Sequence, residues 1–278
     1  MTGRVAIVVE GGAMRGVFTA GVLDVFLEKQ FDPFDLALGV SAGACNLASH
    51  LAGQHGRNQR SYLDLMVRRE FLNPWRALRG GSAMDLDWLW DALAEREPLD
   101  VQAIARRTTE FVVVATSPRT GEAVYLRPGP AEMFDALKAS SAMPILYRGE
   151  VRVGGERLVD GGMADPIPVE EAYRRGARDL LVLRTRPADA VKRYDLSARA
   201  TAFQLRREPG LAKAVRAMAA SYQRAVAFMA RPPVGCRVLQ VAPQGPLATQ
   251  RTTQDRSVLV RDYELGRRLG EEAMARFG

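Results

Sequence analysis

Apolar side chains along this chain come in short runs closed by glycine or polar breaks. Residues 4–10, RVAIVVE, form a β-branched run that stops at Gly11 and Gly12, the pattern of a strand buried on both faces. Residues 17–29 carry Val17, Ala20, Gly21, Val22, Val25 and Phe26 at helical spacing. Asp35–Val40 predicts a second strand and Ala42–Leu51 a helix, while residues 60–97 read as helical but broken at Pro74, Gly80 and Gly81. FVVVATS (111–117) is a third strand, EMFDALKAS (132–140) a helix, RLVD (157–160) a short strand, PVEEAYRRG (168–176) a helix and LLVLRT (180–185) another strand. Beyond Arg186 the pattern loosens, leaving an amphipathic helix at 211–230, a strand at RVLQVAP (237–243) and a closing helix at 257–277. Strands alternating with helices predict an α/β fold, a mostly parallel central sheet with helices on both faces. We read one domain over 1–278, with a motif core at 4–186 and a helical and strand C-terminal extension at 187–278.

Composition narrows this only a little. With 278 residues, 47% of them hydrophobic and 26% charged, the chain can bury a full core and is not a disordered sequence. No run of about 18 uncharged residues is present to cross a bilayer. The N-terminus enters a strand pattern at once, without the apolar stretch of a signal peptide, so the expected location is cytoplasmic, with peripheral membrane contact as an option. Two cysteines, Cys45 and Cys236, are too few and too far apart for a disulfide framework or a metal knuckle. The net charge of +7 is carried mostly by arginine, since Lys29, Lys138, Lys192 and Lys213 are the only lysines. Arginine binds phosphate in a bidentate fashion, which keeps anionic headgroups and phosphorylated substrates in view, but the same composition also follows from genome base content.

Two stretches carry candidate chemistry. Gly39-Val40-Ser41-Ala42-Gly43 places one serine between two glycines where a buried strand ends. Such G-x-S-x-G turns display serine nucleophiles in hydrolases, and glycine tolerates unusual backbone angles. The first strand ends in Glu10-Gly11-Gly12-Ala13-Met14-Arg15-Gly16 ahead of a helix. Free N–H groups there attract negative charge, either a phosphate or the oxyanion of acyl transfer. The loop lacks the G-x-G-x-x-G of dinucleotide binding, and only Asp32 and Asp35 stand near the place of a ribose-binding acid, which favours the oxyanion. Both loops follow strand ends, where ligands of open α/β sheets bind.

A serine hydroxyl needs a base, and the chain holds just His50 and His55. On a helix from residue 42, His50 lies about 12 to 14 Å along the axis from Ser41, out of hydrogen-bond reach. His55 falls beyond that helix. Asp160-Gly161-Gly162 offers a carboxylate at a strand end instead. Asp165, before Pro166, reads as a helix N-cap.

Four blocks in one order then resemble the bacterial patatin-like phospholipase family: GGAMRG, GVSAG, ASSAMP (139–144) and DGG. They span residues 10 to about 170, and similarity in the following helix and strand reaches about residue 185. The resemblance implies a patatin-like fold and a lipid acyl hydrolase working through a Ser-Asp dyad without histidine. Carried over, Ser41 is the nucleophile, Asp160 its general base, and the N–H groups of Gly11, Gly12 and Ala13 the oxyanion hole. Ala13 stands where the family's third loop glycine usually sits, which matters if that position needs a positive φ. Arg15 matches a basic loop position and supports the loop or the substrate. The resemblance calls for no metal and no cofactor. The expected partner is a lipid or ester substrate, with anionic membrane as a peripheral contact and no nucleic acid. Trp75, Trp88 and Trp90 fall in the 60–97 insertion, which is either a lid or acyl channel, or ordinary core. Rivals to the hydrolase are a lipid-binding or regulatory protein without turnover and a nucleotide binder using the Gly11 loop.

Overall fold

A computed structural model describes residues 3–277. Among the described residues eight strands form one sheet: β1 (Arg4–Val9), β2 (Leu36–Val40), β3 (Glu110–Thr116), β4 (Ala123–Leu126), β5 (Val151–Val153), β6 (Glu156–Asp160), β7 (Ala177–Leu183) and β8 (Arg237–Val241). Their order is β5-β6-β3-β2-β1-β7-β8, with β4 also on β3. The run β3-β2-β1-β7-β8 is parallel throughout, and β4, β5 and β6 pair antiparallel at one side.

Side chains alternate across a strand, so each central strand feeds two cores. Ile7 and Val9 enter a cluster with Phe18, Val22, Phe26 and Leu47 from the helices Gly16–Glu28 and Ala42–Leu51. Ala6 and Val8 enter the opposite cluster with Val169 and Ala172 of the helix Val169–Arg174 and with Tyr222, Ala225 and Met229 of the helix Pro209–Ala230. That second long helix therefore spends its apolar face on the sheet.

The closing helix Arg256–Phe277 lies against Gly16–Glu28 with backbone touching backbone. A Cβ on Gly21 would fall 2.1 Å from the Tyr263 carbonyl oxygen, and one on Gly266 2.0 Å from that of Phe18. Only glycine admits this approach.

The sheet is mostly parallel with helices on both faces, as the alternating pattern predicts. Among the elements not foreseen are β4, β5 and the helices Val101–Ala105 and Leu196–Gln204. RLVD is a strand, but it runs antiparallel to β3. Residues 57–97 form four helical pieces, one of them a π-helix at Ser61–Met66, whose Tyr62, Phe71, Leu86 and Leu89 pack in a cluster with Val17, Tyr147, Leu158 and Tyr263 from other elements. No helix among the described residues is long and apolar enough to cross a membrane.

Candidate active site

Ser41 joins β2 to the helix Ala42–Leu51 with φ 52° and ψ −126°. An L residue adopts this backbone only where the surroundings force it, at a cost of roughly 1–3 kcal/mol. The flanking glycines keep ordinary angles and are there for space, which corrects the expectation that they supply the unusual φ. A Cβ on Gly43 would lie 2.5 Å from the Val9 carbonyl oxygen, and one on Gly39 2.5 Å from Ala44 Cα. The turn folds so tightly onto β1 and onto itself that only hydrogen fits there.

A buried hydroxyl holds the strained turn. The Ser41 N–H donates to Ser140 Oγ at 2.7 Å, and the Ser140 hydroxyl donates to the Val114 carbonyl at 2.6 Å. Two residues on, the Ala142 carbonyl accepts from the Asp160 N–H at 3.0 Å. The ASSAMP block therefore clamps the chain at Ser41 and at Asp160 together, a role that the motif's presence announced without revealing.

The Gly11 loop sits against this turn: a Cβ on Gly11 would lie 2.9 Å from the Val40 carbonyl oxygen and 3.2 Å from Ser41 Cβ. Its carbonyls are tied down from outside. The Thr185 hydroxyl donates to the Gly11 carbonyl at 3.1 Å and Arg15 Nε to that of Gly12 at 3.4 Å. The N–H groups of Gly11, Gly12 and Ala13 find no acceptor among the described residues. Ala13 does take a positive φ, 50°, so the alanine occupies a conformation that the family's glycine enters freely.

Asp160 ends β6, where Gly161 lets the chain press on β3: a Cβ there would stand 2.1 Å from the Val114 carbonyl oxygen. Ser41 and Asp160 are both buried. Burial pushes the Asp160 carboxyl above its usual range, and the nearby Ser41 hydroxyl and the Gly162 N–H pull it part of the way back. The Gly162 bond is 2.8 Å.

The histidines stand apart. His50 is buried with its nearest carboxylate oxygen, on Asp32, at 3.7 Å, and burial lowers it to about 4, so it is neutral. His55 is exposed and lies 2.9 Å from Glu28. Asp165 is no helix cap: the next helix starts at Val169 after Pro168, and Asp165 accepts from the Tyr125 hydroxyl at 2.8 Å. No cluster of three or more metal-ligating side chains occurs among the described residues.

Two cavities meet at Ser41 and Ala13. The first, about 80 Å³, is narrow and walled by Phe71, Met84, Leu86, Leu89, Trp90 and Leu93 of the 57–97 segment. Trp90 thus lines a channel, Trp88 packs in the neighbouring core and Trp75 is exposed. The second, about 500 Å³, holds Asp160 and the Gly11 loop and is walled by Arg15, Arg186, Lys192 and Arg251. Arg15 touches both the loop and the open space. Arg186, Lys192 and Arg251 were not singled out from sequence, being separate in the chain and brought together by folding alone.

Comparison with known proteins identifies the family. The patatin-like phospholipase family matches residues 7–173, and a domain of unknown function, DUF6363, matches 208–278. The chain is 37% identical to YjjU, an uncharacterized protein of Escherichia coli, over 99% of its own length and 78% of that protein's. An uncharacterized NTE family protein of Mycobacterium tuberculosis is 29% identical over 60% of this chain, which covers 44% of that relative's length. Among solved structures, VipD from Legionella pneumophila aligns over 98% of this chain and 67% of its own, with a TM-score of 0.44 and 12% identity. Matched over more than half its length, the chain belongs to the patatin-like phospholipase family.

Proposed function

We propose that the protein is a serine acyl hydrolase that cleaves carboxylic esters of lipids through an acyl-enzyme. The observation that carries this reading is a strained, buried Ser41 that shares a cavity with Asp160 beside a loop whose N–H groups are unused. Ser41 Oγ attacks the ester carbonyl while Asp160 takes its proton. The developing oxyanion accepts hydrogen bonds from Gly11, Gly12 and Ala13, donors already fixed before the reaction starts. The tetrahedral intermediate collapses, and the alcohol leaves with the proton from Asp160. Water activated by the same carboxylate then releases the fatty acid and restores Ser41. The narrow apolar cavity suits the acyl chain.

A lipid aggregate is the expected source of substrate. Val191, Leu196 and Phe203 are exposed, Val191 at the rim of the second cavity, with Arg193 and Arg199 nearby in the chain. This rim, rather than the helix Pro209–Ala230, is the surface fitted to peripheral contact with anionic membrane.

Intact-mass analysis after a fluorophosphonate probe tests the reading. One adduct on the wild type, absent from Ser41→Ala and formed about a thousandfold more slowly by Asp160→Asn, is the expected result. No adduct and no ester cleavage at any acyl length on folded protein would leave a lipid-binding protein on a hydrolase fold. The base must be ionised, so kcat/KM rises with pH through a value above the ordinary aspartate range. Arg251 and Lys192 oppose that shift more weakly than burial drives it, and a pH–rate profile of the wild type reads it directly.

A further inference from the structure

Thirteen arginines form ion pairs with carboxylates among the described residues. Arg184, fully buried, donates to the Tyr222 hydroxyl at 2.6 Å, to the Ala188 carbonyl at 2.8 Å and to Gln240 at 3.0 Å, with Glu10 at 3.9 Å. The second cavity gathers cations that have no such partner. Arg15, Arg186, Lys192 and Arg251 all line it, and none makes an ion pair among the described residues. Arg15 donates to a backbone carbonyl, and the Lys192 ammonium meets the Met218 thioether.

These charges also work against each other. Burial lowers Lys192 to about 8, with Arg251 and Arg186 adding to the effect. Arg15 falls to about 10 through burial and then Arg186, and Arg251 is depressed by burial and then Arg186. Three carboxylates share the cavity wall, and each is engaged elsewhere. Glu10 accepts from the Thr185 N–H at 2.8 Å and is pushed by burial toward its neutral form. Asp195 accepts from the Ala198 N–H and the Ser197 hydroxyl. Asp160 faces Ser41. Glu10 and Asp160 offset this repulsion only in part, and a cluster of cations that makes no ion pair is stabilised further by an external anion.

The anion's chemistry follows from the donors. Four guanidinium groups, counting that of exposed Arg193, and one ammonium line one space, and guanidinium groups match the oxygen spacing of phosphate in bidentate pairs. At about 500 Å³ the space holds more than a bare ion, and it opens at the nucleophile. Arg251, Val215, Met218 and Tyr222 on its wall come from 208–278, the segment matching a domain of unknown function.

We propose that the segment 208–278 completes an anion site beside Ser41, in which Arg251 joins Arg15, Arg186 and Lys192 to hold the phosphate group of the ester substrate. The proposal rests on the acyl-hydrolase reading for its chemistry and deepens it by placing the substrate's charged end in the wide cavity, with Arg251 at its junction with the acyl channel.

The test uses two esters with the same short acyl chain, a monoacylglycerol and its phosphorylated counterpart, a lysophosphatidate. The wild type is expected to favour the phosphorylated ester at least tenfold in kcat/KM. Arg186→Gln, Lys192→Met and Arg251→Gln each cut that ratio about fivefold or more, and Arg251→Lys restores part of it. A wild-type ratio near one, unmoved by the substitutions, overturns the proposal. Inorganic phosphate separates the sources of the anion: competition against the phosphorylated ester supports the headgroup site, whereas modulation of monoacylglycerol cleavage with no preference between esters assigns the site to free phosphate and overturns it. If neither ester is cleaved, the hydrolase reading fails by itself. Calorimetric titration of Ser41→Ala with glycerol 3-phosphate then decides the anion site: binding that disappears in Ser41→Ala/Arg251→Gln supports it, and no binding overturns it. Thermal melts of unliganded protein guard against misfolding, since removal of a repelled cation is expected to leave the melting temperature unchanged or higher.

Discussion

The two cavities that meet at Ser41 are built from different stretches of chain and to opposite rules. The narrow one is walled by residues 57–97, whose leucines, methionines and aromatic rings come from short, broken helices. The wide one takes its cations from the first loop and from residues 186–251. One is mostly apolar, with Arg57 and Arg251 on its wall, and the other gathers cations beside the nucleophile. The serine stands at the boundary, so on the proposed reading an ester that is apolar on its acyl side and charged on its alcohol side would be oriented before Ser41 attacks.

Loosening the boundary itself has the largest expected effect. Ser140→Ala strands the buried Ser41 N–H and the Val114 carbonyl, at about 1–3 kcal/mol for each orphaned group. We expect kcat to fall about a hundredfold for every ester, with the acyl-length preference intact. A drop confined to one class of ester would mean that Ser140 serves a single cavity. Next comes Leu89→Trp, which fills the narrow channel alone. The ratio of kcat/KM for long over short acyl esters should fall about tenfold, and an unchanged ratio would remove the acyl chain from that space. The smallest effect belongs to Ala13, which lies on both walls. Ala13→Gly exchanges relief of its positive φ for greater unfolded-state entropy and should alter stability by less than about 1 kcal/mol. Ala13→Val puts a branched side chain at the same angle and should cost about 2 kcal/mol. Chemical denaturation of the two variants measures the difference.

What the sequence could disclose divides along similar lines. The central strands were legible because burial on both faces demands an unbroken apolar run, and the four blocks were legible because each is short and local. β4 and β5 were not: AVYL is only half-buried along its length, and VRV is three residues of mixed exposure. The helix Leu196–Gln204 buries just Ala202 fully, leaving no apolar stripe to see. Glycine has several uses that look alike in sequence, and at Gly39 and Gly43 the use was space rather than angle. Asp165 resembled a cap because Asp-Pro often precedes a helix, whereas Tyr125, forty positions earlier, is its actual partner. The cation cluster was the least legible feature, since Arg15, Arg186, Lys192 and Arg251 share no spacing and become neighbours only when the sheet has closed.

The glycine seam between Gly16–Glu28 and Arg256–Phe277 divides the C-terminal segment into what can change and what cannot. At Gly21 and Gly266 any added side chain would drive two helix backbones apart, so the closing helix is held to one depth and one rotation. Residues 242–255, which lead into it and carry Arg251, lie between that fixed helix and β8. Selection or engineering could therefore rewrite this connecting loop to accept a different alcohol group while the helix keeps the rest of the fold in register.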